Sequence, residues 1–224
     1  MTEQVAETLR GPRARITGAV YLVFFLTAIL GAVLTPGTPN DMLAHEPLFR
    51  LGFAVSLISL ALYVALAALF YNLFRAVNRN LALLAAFFSL MGCAVQAFGS
   101  VFQLAPLVVL GDQYKSVFSA QQLQSLAQMF VDLSAQAGHV GIVFFGVFDI
   151  VIGYLIFKSA FLPRTLGALM VIAGVAWLAF LSPELANLLL TPIEVIGIVA
   201  EAALMLWLLV RGVNVQRWKE QAGA

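Results

Sequence analysis

A chain of 224 residues that is 62% apolar and only 10% charged cannot cover a water-facing surface; soluble domains carry about 25% charged residues. A formal net charge of +1, with no basic tract beyond short flanks of apolar runs, argues against a nucleic-acid partner. One cysteine excludes an intrachain disulfide and two histidines exclude a histidine-rich metal centre.

Taken in order, residues 1–15 form a polar tail carrying Arg10, Arg13 and Arg15. Ile16–Leu34 is the first run long enough to cross a bilayer, closed by TPGTPN. Its length and the lack of an A-x-A site favour a retained helix over a cleaved signal peptide. Asp41–Pro47 reads as a polar loop, and 48–74 as the second span, with Arg50 near its start. After the basic turn RAVNRN, the third span covers 81–110. That length predicts a tilt, a bend near Gly92 or Gly99, or a stop around Pro106.

The stretch beginning at Ser119 is the most informative. Ser119 and Gln122 make an S-x-x-Q capping box, and Phe118 with Leu123 a hydrophobic staple. Leu123, Leu126, Phe130 and Leu133 recur at helical spacing, while Gln121, Ser125, Gln128, Asp132, Gln136 and His139 run opposite. An amphipathic outer helix over 119–136 therefore leads into the fourth span, 137–157, which ends at Lys158. Gly138, Gly141, Gly146 and Gly153 predict close contact with neighbouring helices. The turn SAFLPR precedes the fifth span, 166–181. Ser182-Pro183-Glu184 predicts a short interfacial helix, and Thr191-Pro192-Ile193-Glu194 a second capping box that restarts the chain for the sixth span, 193–210. Residues 213–224 are left as a basic tail.

Six spans place ten of the twelve lysines and arginines on the side of both termini, leaving only Arg50 and Lys115 opposite. The positive-inside rule makes that side cytoplasmic. The expected fold is thus all-α: one six-helix membrane domain over 16–212 between cytoplasmic tails, in contact with lipid.

RITGAVYLVFF in the first span, LFRLGF at 48–53, NRNLALLAAFF at 78–88, HVGIVFFGVF at 139–148 and GYLIFKSAFLPRTLGALMVIAG at 153–174 together resemble a bacterial membrane family, domain of unknown function 4386. The resemblance spans roughly residues 15 to 212, with FLPRTLG its most specific piece. It implies a multi-span protein of the bacterial inner membrane, and carries no activity, cofactor or catalytic residue with it.

Function then rests on polar groups at membrane depth, each costing about 2.5–3.5 kcal/mol if ionised there. Asp149 lies nine residues from Lys158 and Glu201 ten from Arg211, so both fall near the midplane, where no lysine or arginine accompanies them. They read either as a pair binding a proton or a cation, or as separately satisfied groups. In the second reading a backbone group or Gln96 serves Asp149, and a nearby serine or tyrosine serves Glu201. A second group gathers toward the outer face: Arg50, Gln103, Asp132, Gln136, His139 and Glu194. Arg50 has Asp132 or Glu194 as candidate ion partners. Glu194 also suits a helix cap, the glutamines a solvated face, and His139 an interfacial position.

These features favour a non-enzymatic module that binds, senses or passes on a small lipophilic or cationic molecule, through a polar cavity between the second, third, fourth and sixth spans. One alternative is an intramembrane enzyme using His139, Asp132 and Glu194. Asp132 and His139 are two helical turns apart, about 10 Å, too far to share one metal ion unaided. Another is an accessory subunit whose polar stripe docks a membrane protein partner. The sequence specifies no cofactor.

Overall fold

The computed structural model describes residues 13–223, and among them every regular element is helical. In chain order these are α1 (Ala14–Leu34), α2 (Pro39–Ala44), α3 (Glu46–Phe74), α4 (Arg79–Val109), α5 (Ala120–Lys158), α6 (Arg164–Trp177), α7 (Pro183–Val210) and α8 (Val215–Ala222). A 3-10 turn, Leu178–Leu181, extends α6. α1, α3, α4, α5, extended α6 and α7 are each long and apolar enough to cross a membrane, so the chain is a multi-pass membrane protein by length and composition. Each packs on its sequence neighbour, and α7 returns to α1, closing a six-membered ring. Both described chain ends lie at the same end of the ring, where Arg15 of α1 approaches Gly212 after α7. We refer to this as the termini end, and to the opposite one as the far end.

Helix starts follow local chemistry. The Ser119 hydroxyl accepts from the Gln122 amide at 3.3 Å, and the Gln122 side chain accepts from the Ser119 amide at 2.9 Å. This is the reciprocal box expected there. Asn78 caps α4 through the Leu81 amide at 3.0 Å, and Ser182 caps α7 through the Leu185 amide at 3.4 Å. From its cap, α5 runs 39 residues without interruption, about 58 Å. Its amphipathic start therefore continues straight into the span. α4, with 31 residues, accompanies it, so the α4–α5 hairpin is the longest part of the bundle. Pro106 is accommodated in the last turns of α4 rather than stopping it.

Two expectations are corrected. The connection 39–44 is a short helix, capped by Thr38 through the Asp41 amide at 3.2 Å, and not an open loop. The restart at Thr191 does not occur, because α7 passes through Pro192. Ala186 and Ile193, seven residues apart, bury against Phe180 and Trp177 as one cluster. A break between them would split that cluster, and a proline inside a span is tolerated when packing holds both sides.

Side-chain packing is densest toward the termini end. Phe70 stacks on Phe74 (6.2 Å between centroids), meets Phe148 edge-on (5.8 Å), and Phe74 reaches Phe161 (6.2 Å). Ile152, Leu155, Ile156, Met170, Leu204 and Leu208 are fully buried around them. α8 covers this end. Its Trp218 is 6% exposed and donates from the indole to the Leu73 carbonyl at 2.8 Å. That carbonyl belongs to the last turn of α3, where helix geometry supplies no partner. Gln221 accepts from the Ala160 amide at 3.0 Å and donates to the Lys158 carbonyl at 3.0 Å, so α8 holds the α5–α6 turn as well as the end of α3. Trp218→Ala is expected to cost about 3–5 kcal/mol, and Trp218→Phe mainly the hydrogen bond, about 1 kcal/mol. Thermal unfolding in detergent checks both; equal loss in the two variants would deny the packing role.

Candidate functional site

Two polar regions occupy the ring, one deep and one toward the far end. The deep one draws a side chain from five of the six spanning helices. Asp149 of α5 is 0% exposed, and neither carboxyl oxygen has a hydrogen-bond partner among the described residues. Glu201 of α7 is half-buried and accepts from the Tyr21 hydroxyl of α1 at 2.8 Å, a bond that ties the first span to the last. The two carboxyls are close enough to interact electrostatically, and both also interact with Tyr21 and with Tyr63 of α3. Trp177, at the end of α6, has its indole near both carboxyls without completing a hydrogen bond to either.

Glycines make room for that indole. Gly197, one turn before Glu201, lies against the Trp177 ring so closely that a Cβ there would overlap it. On α5, a Cβ on Gly146 would sit 3.0 Å from the Trp177 Cβ and 2.9 Å from the Gly174 carbonyl. Gly153 and Gly167 repeat the arrangement one heptad nearer the termini end, each Cβ position lying 2.7 Å from the other's carbonyl oxygen. Gly141 is similarly tight against Gln96 of α4, whereas Gly138 meets nothing within 4 Å and borders open space. Three of the four α5 glycines thus serve close packing, and the fourth lines a cavity.

That cavity is the second polar region. A space of about 520 Å3 lies between α1, α3, α4 and α5 and reaches Thr35, Pro36 and Gly37 at the far end. A side chamber of about 260 Å3 shares Ser56, Leu60, Gln96, Gln103 and Ser134 with it. None of the lining residues is charged. Its walls come from the first four spans, with α1 in the place expected of the sixth. The deep end is closed by Phe24 and Leu60, and the Phe24 ring packs at 4.8 Å on Tyr63, a member of the carboxyl cluster. Ser59 lies one turn from Tyr63 and donates to the Phe24 carbonyl at 3.5 Å. A separate apolar cavity of about 620 Å3 opens along the α4–α5 hairpin, among Val101, Leu104, Leu126, Phe130 and their neighbours.

The expected site residues separate into three sets. Asp149 and Glu201 share the deep cluster, and Gln103 lines the cavity. Arg50 is exposed and pairs with Glu46 at 2.7 Å, one turn away on its own helix, rather than with Asp132 or Glu194. Asp132 is exposed and accepts from Gln128 at 2.9 Å; Gln136 and Glu194 are also exposed. His139 is half-buried with its ring 4.8 Å from that of Phe180. His139, Asp132 and Glu194 form no common centre, since among the described residues no three His, Cys, Asp or Glu side chains gather as metal ligands do. In the far-end loop, Lys115 bonds Asp112 at 2.6 Å and holds its carboxyl below the usual range. This exposed pair contributes little to stability.

Tyr21 is the tyrosine partner expected for Glu201, whereas Tyr63 and Trp177 are members of the site that sequence reasoning passed over. Their signal was position: tyrosine in membrane helices concentrates at the interfaces, and Tyr63 lies in the middle of α3. Gln96, expected as a partner for Asp149, faces the cavity instead.

Two substitutions test this geometry. Tyr21→Phe removes the donor to Glu201 and is expected to lower stability by about 1–3 kcal/mol. Gly197→Ala is expected to displace Trp177, costing about 1–3 kcal/mol by overpacking and changing tryptophan emission. That emission change should vanish in a Trp177→Phe background. Emission unaltered by Gly197→Ala would place the indole elsewhere.

Neither the curated proteins nor the solved structures offer a significant match to this chain. A family model described as domain of unknown function (DUF4386) matches residues 16–212, a range that holds all but the edges of the six-helix ring and both polar regions. The chain belongs to the DUF4386 family.

Proposed function

We propose that this protein is a non-enzymatic binding module of the bacterial cytoplasmic membrane. It takes a small lipophilic molecule with a hydrogen-bonding head into the cavity between α1, α3, α4 and α5, and senses it or passes it on. The carrying observation is the cavity itself: concave, reaching the far end, and lined by Ser56, Ser59, Gln96, Gln103 and Ser134 against Phe24, Phe53 and Leu60. A few directional polar groups on an apolar wall are what small-molecule sites use to bind and orient. The apolar hairpin cavity has few such groups among its lining residues. Uncharged walls favour an uncharged or amphiphilic ligand over a cation. With the basic residues gathered at the termini end, the positive-inside rule turns the cavity mouth outward.

The alternative of an intramembrane enzyme on His139, Asp132 and Glu194 draws no support from their separate placements. The accessory-subunit reading keeps one observation in its favour. Gln121, Ser125, Gln128, Asp132 and Gln136 form an exposed stripe on the outer part of α5, free for a membrane protein partner.

Native mass spectrometry of the detergent-purified protein is expected to reveal a bound small molecule. Gln96→Leu with Gln103→Leu should weaken its retention about tenfold or more, the effect of losing two hydrogen bonds at about 1 kcal/mol each. Ser134→Phe should abolish retention by filling the space. A ligand kept equally by both variants would remove the cavity from consideration. A co-purifying protein lost on substituting the α5 stripe would favour the subunit reading.

A further inference from the structure

The deep carboxyl cluster has a property that the ligand cavity does not explain. Asp149 is fully enclosed and both of its oxygens lack a partner. Unpaired buried carboxylate is among the costliest groups a protein can hold. No lysine or arginine shares its depth: Lys158, the cation of its own helix, is nine residues away and lies at the helix end over the Tyr154 ring. Glu201 differs. It is only half-buried and already has a donor in Tyr21. We propose that Asp149 and Glu201 form a proton-binding site, in which the pair takes up and releases one proton with Glu201 as the access side.

The groups facing the pair from every packed helix are accounted for. They are Tyr21 on α1, Tyr63 on α3 with Cys93 of α4 behind it, and Trp177 on α6. The tyrosines and the thiol are neutral near pH 7 and the indole does not titrate, so the carboxyls are the groups of the cluster that exchange a proton there. Two carboxyls at one site hold protons in coupled steps, because the charge on one disfavours charge on the other. A hydronium ion gives its proton to a Glu201 oxygen and leaves as water, and the proton then transfers to Asp149; release reverses the same O–H exchange. The Tyr21 hydroxyl and the Trp177 N–H stabilise the single negative charge left on the pair. A metal cation fits less well, since among the described residues no three His, Cys, Asp or Glu side chains gather there as metal ligands do. Tyr63 links the pair to the Phe24 floor of the cavity, so ligand and proton occupy opposite sides of one aromatic contact. The proton site stands on Asp149 and Glu201 alone and survives if the cavity proves empty.

Infrared difference spectroscopy of the full-length protein in lipid vesicles, through a pH series in H2O and D2O, tests it. The expected result is a carbonyl-stretch band of a protonated carboxylic acid near neutral pH, shifting in D2O and bleaching as pH rises. Asp149→Asn should remove it, and Glu201→Gln, which takes away the neighbouring negative charge, should move its midpoint to lower pH. Tyr21→Phe, the mildest change, should move the midpoint about one pH unit upward with unaltered circular dichroism. It decides the matter if the carboxyl variants fail to fold. The proposal is overturned by a band that neither carboxyl variant touches, by one that persists unchanged through the series, or by a Tyr21→Phe midpoint equal to wild type. A band that responds to sodium but not to pH would replace the proton by a metal cation and overturn it equally.

Discussion

The bundle depends on the close approach of α5 and α6 at paired glycines. In lipid, helix association gains little from the hydrophobic effect and relies on backbone proximity and hydrogen bonds. Gly146 with Gly174 and Gly153 with Gly167 supply that proximity over two successive heptads. The consequence reaches beyond stability. With α6 held this close, its last residue, Trp177, slides between Gly146 and Gly197 and roofs the carboxyl pair. The tight helix contact, the tryptophan and the two acids form one mechanical unit, although they are scattered through 56 residues of sequence.

Packing is divided along the membrane normal. At the termini end, phenylalanines and branched side chains fill the ring and α8 holds the α5–α6 turn and the end of α3. Toward the far end, serines and glutamines replace them and space remains. The polar cluster lies at the border, with aromatic rings on both sides: Phe70 and Phe148 below, Phe24 and Phe145 against Tyr63 above. A bundle sealed at one end and hollow at the other suits a module that receives something from one side.

Charged residues on the outer stretches behave differently from those at depth. Arg50, Asp132 and Glu194 face away from the ring, and Arg50 and Asp132 find partners one turn along their own helices. Each points out of the ring, so the fold does not bring them together. Asp149 and Glu201 have no such option, and the fold arranges itself around them. Depth in the apolar run, rather than residue type, separated the acids that share a site from those that do not.

The amino-acid order alone determined the number of spans and the uninterrupted course of α5 from its Ser119 box into its apolar half. Both follow from local quantities: run length and capping chemistry. It also marked four α5 glycines as contact points, of which Gly138 borders open space instead. Which helix faces which was decided only in three dimensions. Tyr21 lies 180 residues from Glu201, and no local rule pairs them. The stretch after residue 212 reads as a basic tail, yet its Trp218 is buried and bonds the Leu73 carbonyl. Thr191-Pro192 carried a genuine start signal that lost to burial of Ala186 and Ile193 on either side. Local propensity is worth a few kcal/mol at most. Where a continuous buried face depended on one uninterrupted helix, packing overruled it.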